Sequence, residues 1–117
     1  MICADTNVWI AYFAGRAGPE IDIMDNCLLR QTLVMSPVVM AELLSDPTLD
    51  KAFERLLFLL PQIPITPDFW WRSGKLRAKL IQIRLKPKLA DTLIAQLCID
   101  HDMSFLSLDR DFRALVR

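Results

Sequence analysis

The chain has 117 residues, 53% of them hydrophobic, and balances 14 acidic against 14 basic side chains for a formal net charge of zero. That length supports one domain spanning residues 1–117. The apolar content excludes a disordered chain, and the charge balance excludes a protein that grips nucleic acid by bulk charge alone. No apolar run reaches the roughly 18 residues of a membrane span, and MICADTNVWI carries an acid early and no basic leader region. Cys3, Cys27 and Cys98 are odd in number, far apart and set in apolar segments. They read as buried free thiols, and a reducing, cytoplasmic location with no membrane partner is expected.

Short apolar segments alternate with helical ones. Residues 2–5 (ICAD) read as a strand ending in Asp5, and 7–14 as a helix stopped by Gly15. A helix over 19–30 follows, with Pro19 in its first turn. Residues 32–36 (TLVMS) read as a second strand, and Ser36-Pro37 pairs a capping hydroxyl with a proline suited to the first helical position. The helix carrying Glu42 should run to about Asp46, where Asp46-Pro47 repeats the start signal for an apolar helix ending at Leu60. Residues 62–66 (QIPIT) read as a third strand, with Pro64 pointing to a sheet edge. Thr66-Pro67 opens a long helix to about Arg84, with Phe69, Leu76, Leu80 and Ile83 near helical spacing. A helix over 90–101 presents Leu93, Ile94, Leu97 and Cys98 to a core, and 103–107 (MSFLS) is a fourth strand. Strands separated by helices imply parallel pairing and an α/β fold of three layers, which binds ligands at the carboxyl ends of its strands.

Four acids fall at that rim. Asp5 ends the first strand, Glu42 lies near the second turn of the helix leaving the second, Asp91 is in the first turn of the helix before the fourth, and Asp109 follows the fourth. Each alone has an ordinary explanation. Asp5 caps a helix, Glu42 faces solvent, Asp91 complements a helix dipole, and Asp109 and Asp111 occupy a turn. If the first, second and fourth strands are neighbours, the four converge, and like charges about 4 Å apart cost several kcal/mol. A hard cation relieves that cost, and oxygen ligands without Cys or His suit Mg²⁺ or Mn²⁺. Such an ion supports phosphoryl chemistry by activating water. Residues 69–90 hold half of all the basic residues and no acid. A solvated helix face explains such a run; the alternative is a phosphate-contacting surface beside the acids, through Arg72, Lys75, Lys79, Arg84, Lys86 and Lys88.

The segments ADTNVWI, SPVVMAELL, ADTLIAQL and FLSLDRDF occur in order and at suitable spacing. Together they resemble the PIN-domain ribonucleases, and among them the VapC-like toxins of toxin–antitoxin pairs. The resemblance covers Asp5 to Phe112. It implies a parallel sheet of strand order 3-2-1-4, with a fifth strand in many members, and a Mg²⁺ or Mn²⁺ site formed by Asp5, Glu42, Asp91 and Asp109. It implies Asn7 and Ser36 as hydrogen-bonding supports and Asp111 as a further acid or a cap. It also implies an RNA substrate, a homodimer, and a small antitoxin that occupies the active-site groove. Ser107 stands where Thr is usual, and Gln96 where Ala is common.

His101, beside Asp100 and Asp102 near a helix end, reads as a solvated side chain. Trp70 and Trp71 must face different ways, so at least one is exposed, as a half-buried anchor, a partner contact or a base-stacking platform. The helix ending at Leu60 is apolar on more than one face, which suits a dimer mate or an antitoxin helix as well as a core. Three other readings compete. A receiver-like signalling domain needs paired acids after the first strand, but Asp5 is followed by Thr-Asn; a dehalogenase-like phosphatase needs Asp where Asn7 stands. A non-catalytic interaction module keeps the fold without turnover.

Overall fold

The structure, a computed structural model, describes residues 1–109. In chain order the elements are β1 (Ile2–Ala4), α1 (Thr6–Phe13), α2 (Pro19–Arg30), β2 (Leu33–Val34), α3 (Pro37–Leu44), α4 (Lys51–Leu59), α5 (Phe69–Gln82), α6 (Leu89–Asp100) and β3 (Ser104–Leu106). β1 is central, parallel to β2 through Ile2↔Leu33 and Cys3↔Val34, and parallel to β3 from Ile2↔Ser104 to Ala4↔Leu106.

Side-chain alternation along these strands builds a core on each face of the sheet. Cys3 and Val34 point to one side, where Ile63, Phe69, Leu97 and Cys98 bring in α5 and α6. Ala4, Leu33, Met35 and Leu106 join the other core, with Val8 and Trp9 of α1, Met24 and Cys27 of α2, Val39 and Leu43 of α3, and Leu57 of α4. The three-layer parallel architecture is therefore as the alternation of segments predicts. All three cysteines are buried free thiols.

The third predicted strand shrinks to one parallel bridge, Met35↔Gln62, held by Met35 N donating to Pro61 O at 2.8 Å and Ile63 N donating to Met35 O at 2.9 Å. Pro61 and Pro64 bracket it, and neither has an N–H for a longer ladder. The bridge keeps this segment beside β2, so its place in the order 3-2-1-4 survives although its length does not. A fifth strand would lie outside the described residues.

The helix expected from Asp46 starts instead at Lys51, capped by Asp50, whose carboxylate accepts from Ala52 N at 2.7 Å. Asp46 Oδ1 accepts from both the main-chain N and the hydroxyl of Thr48, which closes a turn rather than opening a helix. Ser36-Pro37 does open α3, with Ser36 Oγ accepting from Val38 N at 3.2 Å and Val39 N at 3.4 Å. α5 begins two residues later than Pro67, at Phe69. His101 is not a freely solvated side chain: it is half-buried, and its Nε2 lies 2.9 Å from Pro64 O, fastening the chain end of α6 to the bridge segment.

Candidate metal centre

Three parallel strand ends bring three polar residues side by side. Asp5 follows β1, Ser107 follows β3, and Ser36 follows the bridge residue Met35. Asp5 N donates to Leu106 O at 2.8 Å, so the ladder continues into the rim. The Asp5 side chain is 7% exposed and has both oxygens engaged. Oδ1 accepts from Thr6 N at 2.8 Å, the cap of α1, and Oδ2 accepts from Ser107 Oγ at 2.8 Å.

Ser107 is the hub of the rim. Besides donating to Asp5, its hydroxyl oxygen lies 3.0 Å from Asp109 N and accepts from Asn7 Nδ2 at 3.4 Å. Asn7 Oδ1 in turn accepts from Leu108 N at 3.1 Å. Asn7 and Ser107 thereby hold the turn that carries Asp109 against the start of α1. Ser36 is wholly buried and acts as the cap of α3, which sets where that helix begins and hence where Glu42 emerges.

Glu42 leaves α3 on an exposed flank beside the stripe of buried Val39 and Leu43. It is exposed, yet Oε1 accepts from Thr6 Oγ1 at 2.8 Å, which ties it to the residue next to Asp5. Asp91 sits in the first turn of α6, half-buried. Burial pushes its carboxyl above the usual range; the charges of Asp5, Glu42 and Asp109 push the same way, against the pull of Lys88. The Asp5 carboxyl is likewise raised, first by burial and then by Glu42 and Asp109, with the bonds from Ser107 and Thr6 opposing. Asp5 and Asp91, from separate segments, thus both lie close enough to Glu42 and Asp109 to be raised by them.

The donor set is oxygen throughout, which suits a hard divalent cation. As placed, no three His, Cys, Asp or Glu side chains among the described residues are grouped so as to hold a metal ion between them. Asp111 lies outside the described residues.

The basic run divides. Lys88, at the start of α6, is felt by Asp91. Arg72 is bound in an ion pair with Asp100, and its Nη2 donates to Thr66 Oγ1 at 2.9 Å and Pro67 O at 3.0 Å. Lys75 Nζ lies 5.1 Å over the Trp71 ring, and Lys79 lines a groove with both. Lys86 and Arg84 are exposed in the loop between α5 and α6, Arg84 with φ of 66°.

Sequence reasoning passed over Thr6. As the first residue of α1 beside a capping aspartate it has no signature of its own, and only the fold brings Glu42 to it. Ser107 was legible as a hydroxyl beside Asp109 but not as the partner of Asp5.

Fold and rim define a parallel α/β domain with a candidate acidic site beside its strand ends. A family model for the PIN domain matches residues 2–117. The chain belongs to the PIN-domain family. It is similar in structure to VapBC2 from Rickettsia felis bound to a DNA fragment from its promoter (TM-score 0.75, 22% identity, 97% of this chain and 92% of that one). It is similar also to FitAcB from Neisseria gonorrhoeae (TM-score 0.76, 19% identity, 99% and 93%) and to FitAB bound to an IR36 DNA fragment (TM-score 0.74, 20% identity, 99% and 90%). No curated protein matches the chain.

Proposed function

We propose that this protein is a Mg²⁺- or Mn²⁺-dependent endoribonuclease and the toxin of a toxin–antitoxin pair. The observation that carries the reading is the meeting of acids at one rim of a PIN fold, where Asp5 and Glu42 are both bound by Thr6 and where Asp91 and Asp5 each have their carboxyls raised in part by acidic neighbours. Asp5, Glu42, Asp91 and Asp109 would hold the ion. Bound there, it supplies a water of lowered pKa and offsets charge on the phosphate oxygens. The chain's own residues do the positioning. Ser107 and the Thr6 N–H fix Asp5 from two directions, so its carboxylate is aimed before substrate arrives. Asn7 steadies the turn to Asp109. Lys88, beside Asp91, offers a cation to a phosphate flanking the cleaved one. Attack by water on the phosphodiester leaves a 5′-phosphate and a 3′-hydroxyl.

An antitoxin partner is supported by a groove between α3 and α4. It has a volume of about 560 Å³, walls from Met40, Leu44, Phe58 and Leu59, and a rim from Lys51, Glu54 and Arg55. Phe58 and Leu59 are 80% and 78% exposed, which is unusual for a helix that ends its apolar duty at a core. An amphipathic helix suits such a groove. The similar complexes VapBC2 and FitAB pair two proteins on DNA, and this chain's expected assembly is a homodimer with one antitoxin per groove.

Purified protein should cleave single-stranded RNA in Mg²⁺, and Asp5→Asn or EDTA should abolish cleavage. Cleavage that survives either change overturns the mechanism. A catalytically silent PIN module is the second reading, favoured by the finding that no three His, Cys, Asp or Glu side chains among the described residues are grouped so as to hold a metal ion. It predicts partner binding with no turnover under any divalent ion.

A further inference from the structure

We infer that Thr6 is the positioning residue that holds Glu42 in the site, an inference resting on the reading of the rim as a metal centre. Glu42 belongs to an exposed helix face and would otherwise be free to swing into water. Its carboxylate accepts from the Thr6 hydroxyl, 2.8 Å from Oε1 and 36 positions away in sequence.

Thr6 is suited to this by its place. Its main-chain N–H already donates to Asp5 Oδ1 at 2.8 Å, and its β-branched side chain has few rotamers in a helix. The hydroxyl therefore comes from a fixed point. One residue binds Asp5 through its main chain and Glu42 through its side chain, which sets the spacing between the two carboxylates. Donation to Oε1 leaves Oε2 of Glu42 open to a cation. Capping does not account for the hydroxyl, because Asp5 is the cap of α1 and Thr is a modest helix former. Ser107 does for Asp5 what Thr6 does for Glu42: each carboxylate is aimed by a hydroxyl from a neighbouring element.

The test is Mn²⁺ calorimetry on the full chain, with RNA cleavage followed in parallel across a range of Mn²⁺. Thr6→Val keeps the shape and removes the donor; it should weaken Mn²⁺ binding by about tenfold, the size of one lost hydrogen bond to a charged group. Cleavage should fall at low Mn²⁺ and return as Mn²⁺ is raised. Thr6→Ser keeps the donor and should bind Mn²⁺ as the wild type does. Adding Thr6→Val to Glu42→Gln should change nothing further, because the bond acts through Glu42. If Thr6→Val fails to fold, Thr6→Ala carries the same arms. A wild-type affinity in the Val or Ala variant, or an undiminished effect in the Glu42→Gln background, overturns the role of Thr6 and leaves the metal site standing. A wild-type chain that binds no Mn²⁺ overturns the metal-site reading and this inference with it.

Discussion

Asp5 and Asp91 carry carboxyls held above the ordinary aspartate value of 3.8, by burial first and by their acidic neighbours second. The folded chain therefore keeps those protons more tightly than the unfolded chain. The associated stability is full below that value and is lost as pH rises through the raised one. Metal-free protein should show a Tm that declines across this interval, and Asp5→Asn should flatten the decline while keeping the cap on Thr6 N through its amide oxygen. Thermal melts at a series of pH values check this; an Asp5→Asn curve parallel to the wild type would contradict it. Asp100 behaves oppositely. Burial raises its carboxyl, but bonds from Arg72, Gln96 and Thr66 outweigh burial and hold it low, so its contribution persists above 3.8 and is lost as pH falls. Asp100→Asn should therefore soften acid destabilisation and leave the decline at higher pH unchanged. At this scale the sequence displayed the acids but not their neighbours. Asp5 and Asp91 could be placed because strand ends and first helical turns are marked by local residues. Thr6 and Ser107 could not, since their partners lie 36 and 102 positions away.

Helix starts were readable where a cap and a proline agree. Pro19 and Ser36-Pro37 open α2 and α3 as their chemistry requires. Asp46-Pro47 carries the same two residue types and fails, because Thr48 supplies two donors that draw the Asp46 carboxylate into a turn. The third strand fails for a second local reason, two prolines around a single pairing residue. α4 shows how little of a helix its own sequence decides. Leu57 is 1% exposed and Leu59 is 78% exposed, two residues apart in one apolar run. Leu57→Ala should cost about 2–5 kcal/mol, whereas Leu59→Ala should stay within about 0.5 kcal/mol. Urea denaturation distinguishes them; equal losses would mean that α4 packs differently. Which apolar side of α4 meets the core depends on Trp9, Phe13 and Phe53. Phe13 and Phe53 stack with ring centroids 4.1 Å apart, and their sequence separation hides that contact.

Across the whole molecule, one parallel sheet collects charge at one rim and leaves apolar surface on the flank beside it. The rim tolerates like charge at a stability cost that the proposed cation would offset. Mn²⁺ at about 100 times its dissociation constant should stabilise the folded chain by about 2.7 kcal/mol, seen as a higher Tm. The layer order was legible because strand and helix alternate cleanly, and the PIN fold because four segments resemble that family in order. The groove between α3 and α4 was only hinted at, since surplus apolar residues do not reveal which of them the core omits. Among the described residues no helix is long and apolar enough to cross a membrane. The most direct test is a calorimetric Mn²⁺ titration of the wild type beside Asp5→Asn, Glu42→Gln, Asp91→Asn and Asp109→Asn. A shared centre predicts saturable binding weakened by every one of the four changes. Binding that is indifferent to Glu42→Gln or Asp91→Asn would show that the acids do not serve one ion.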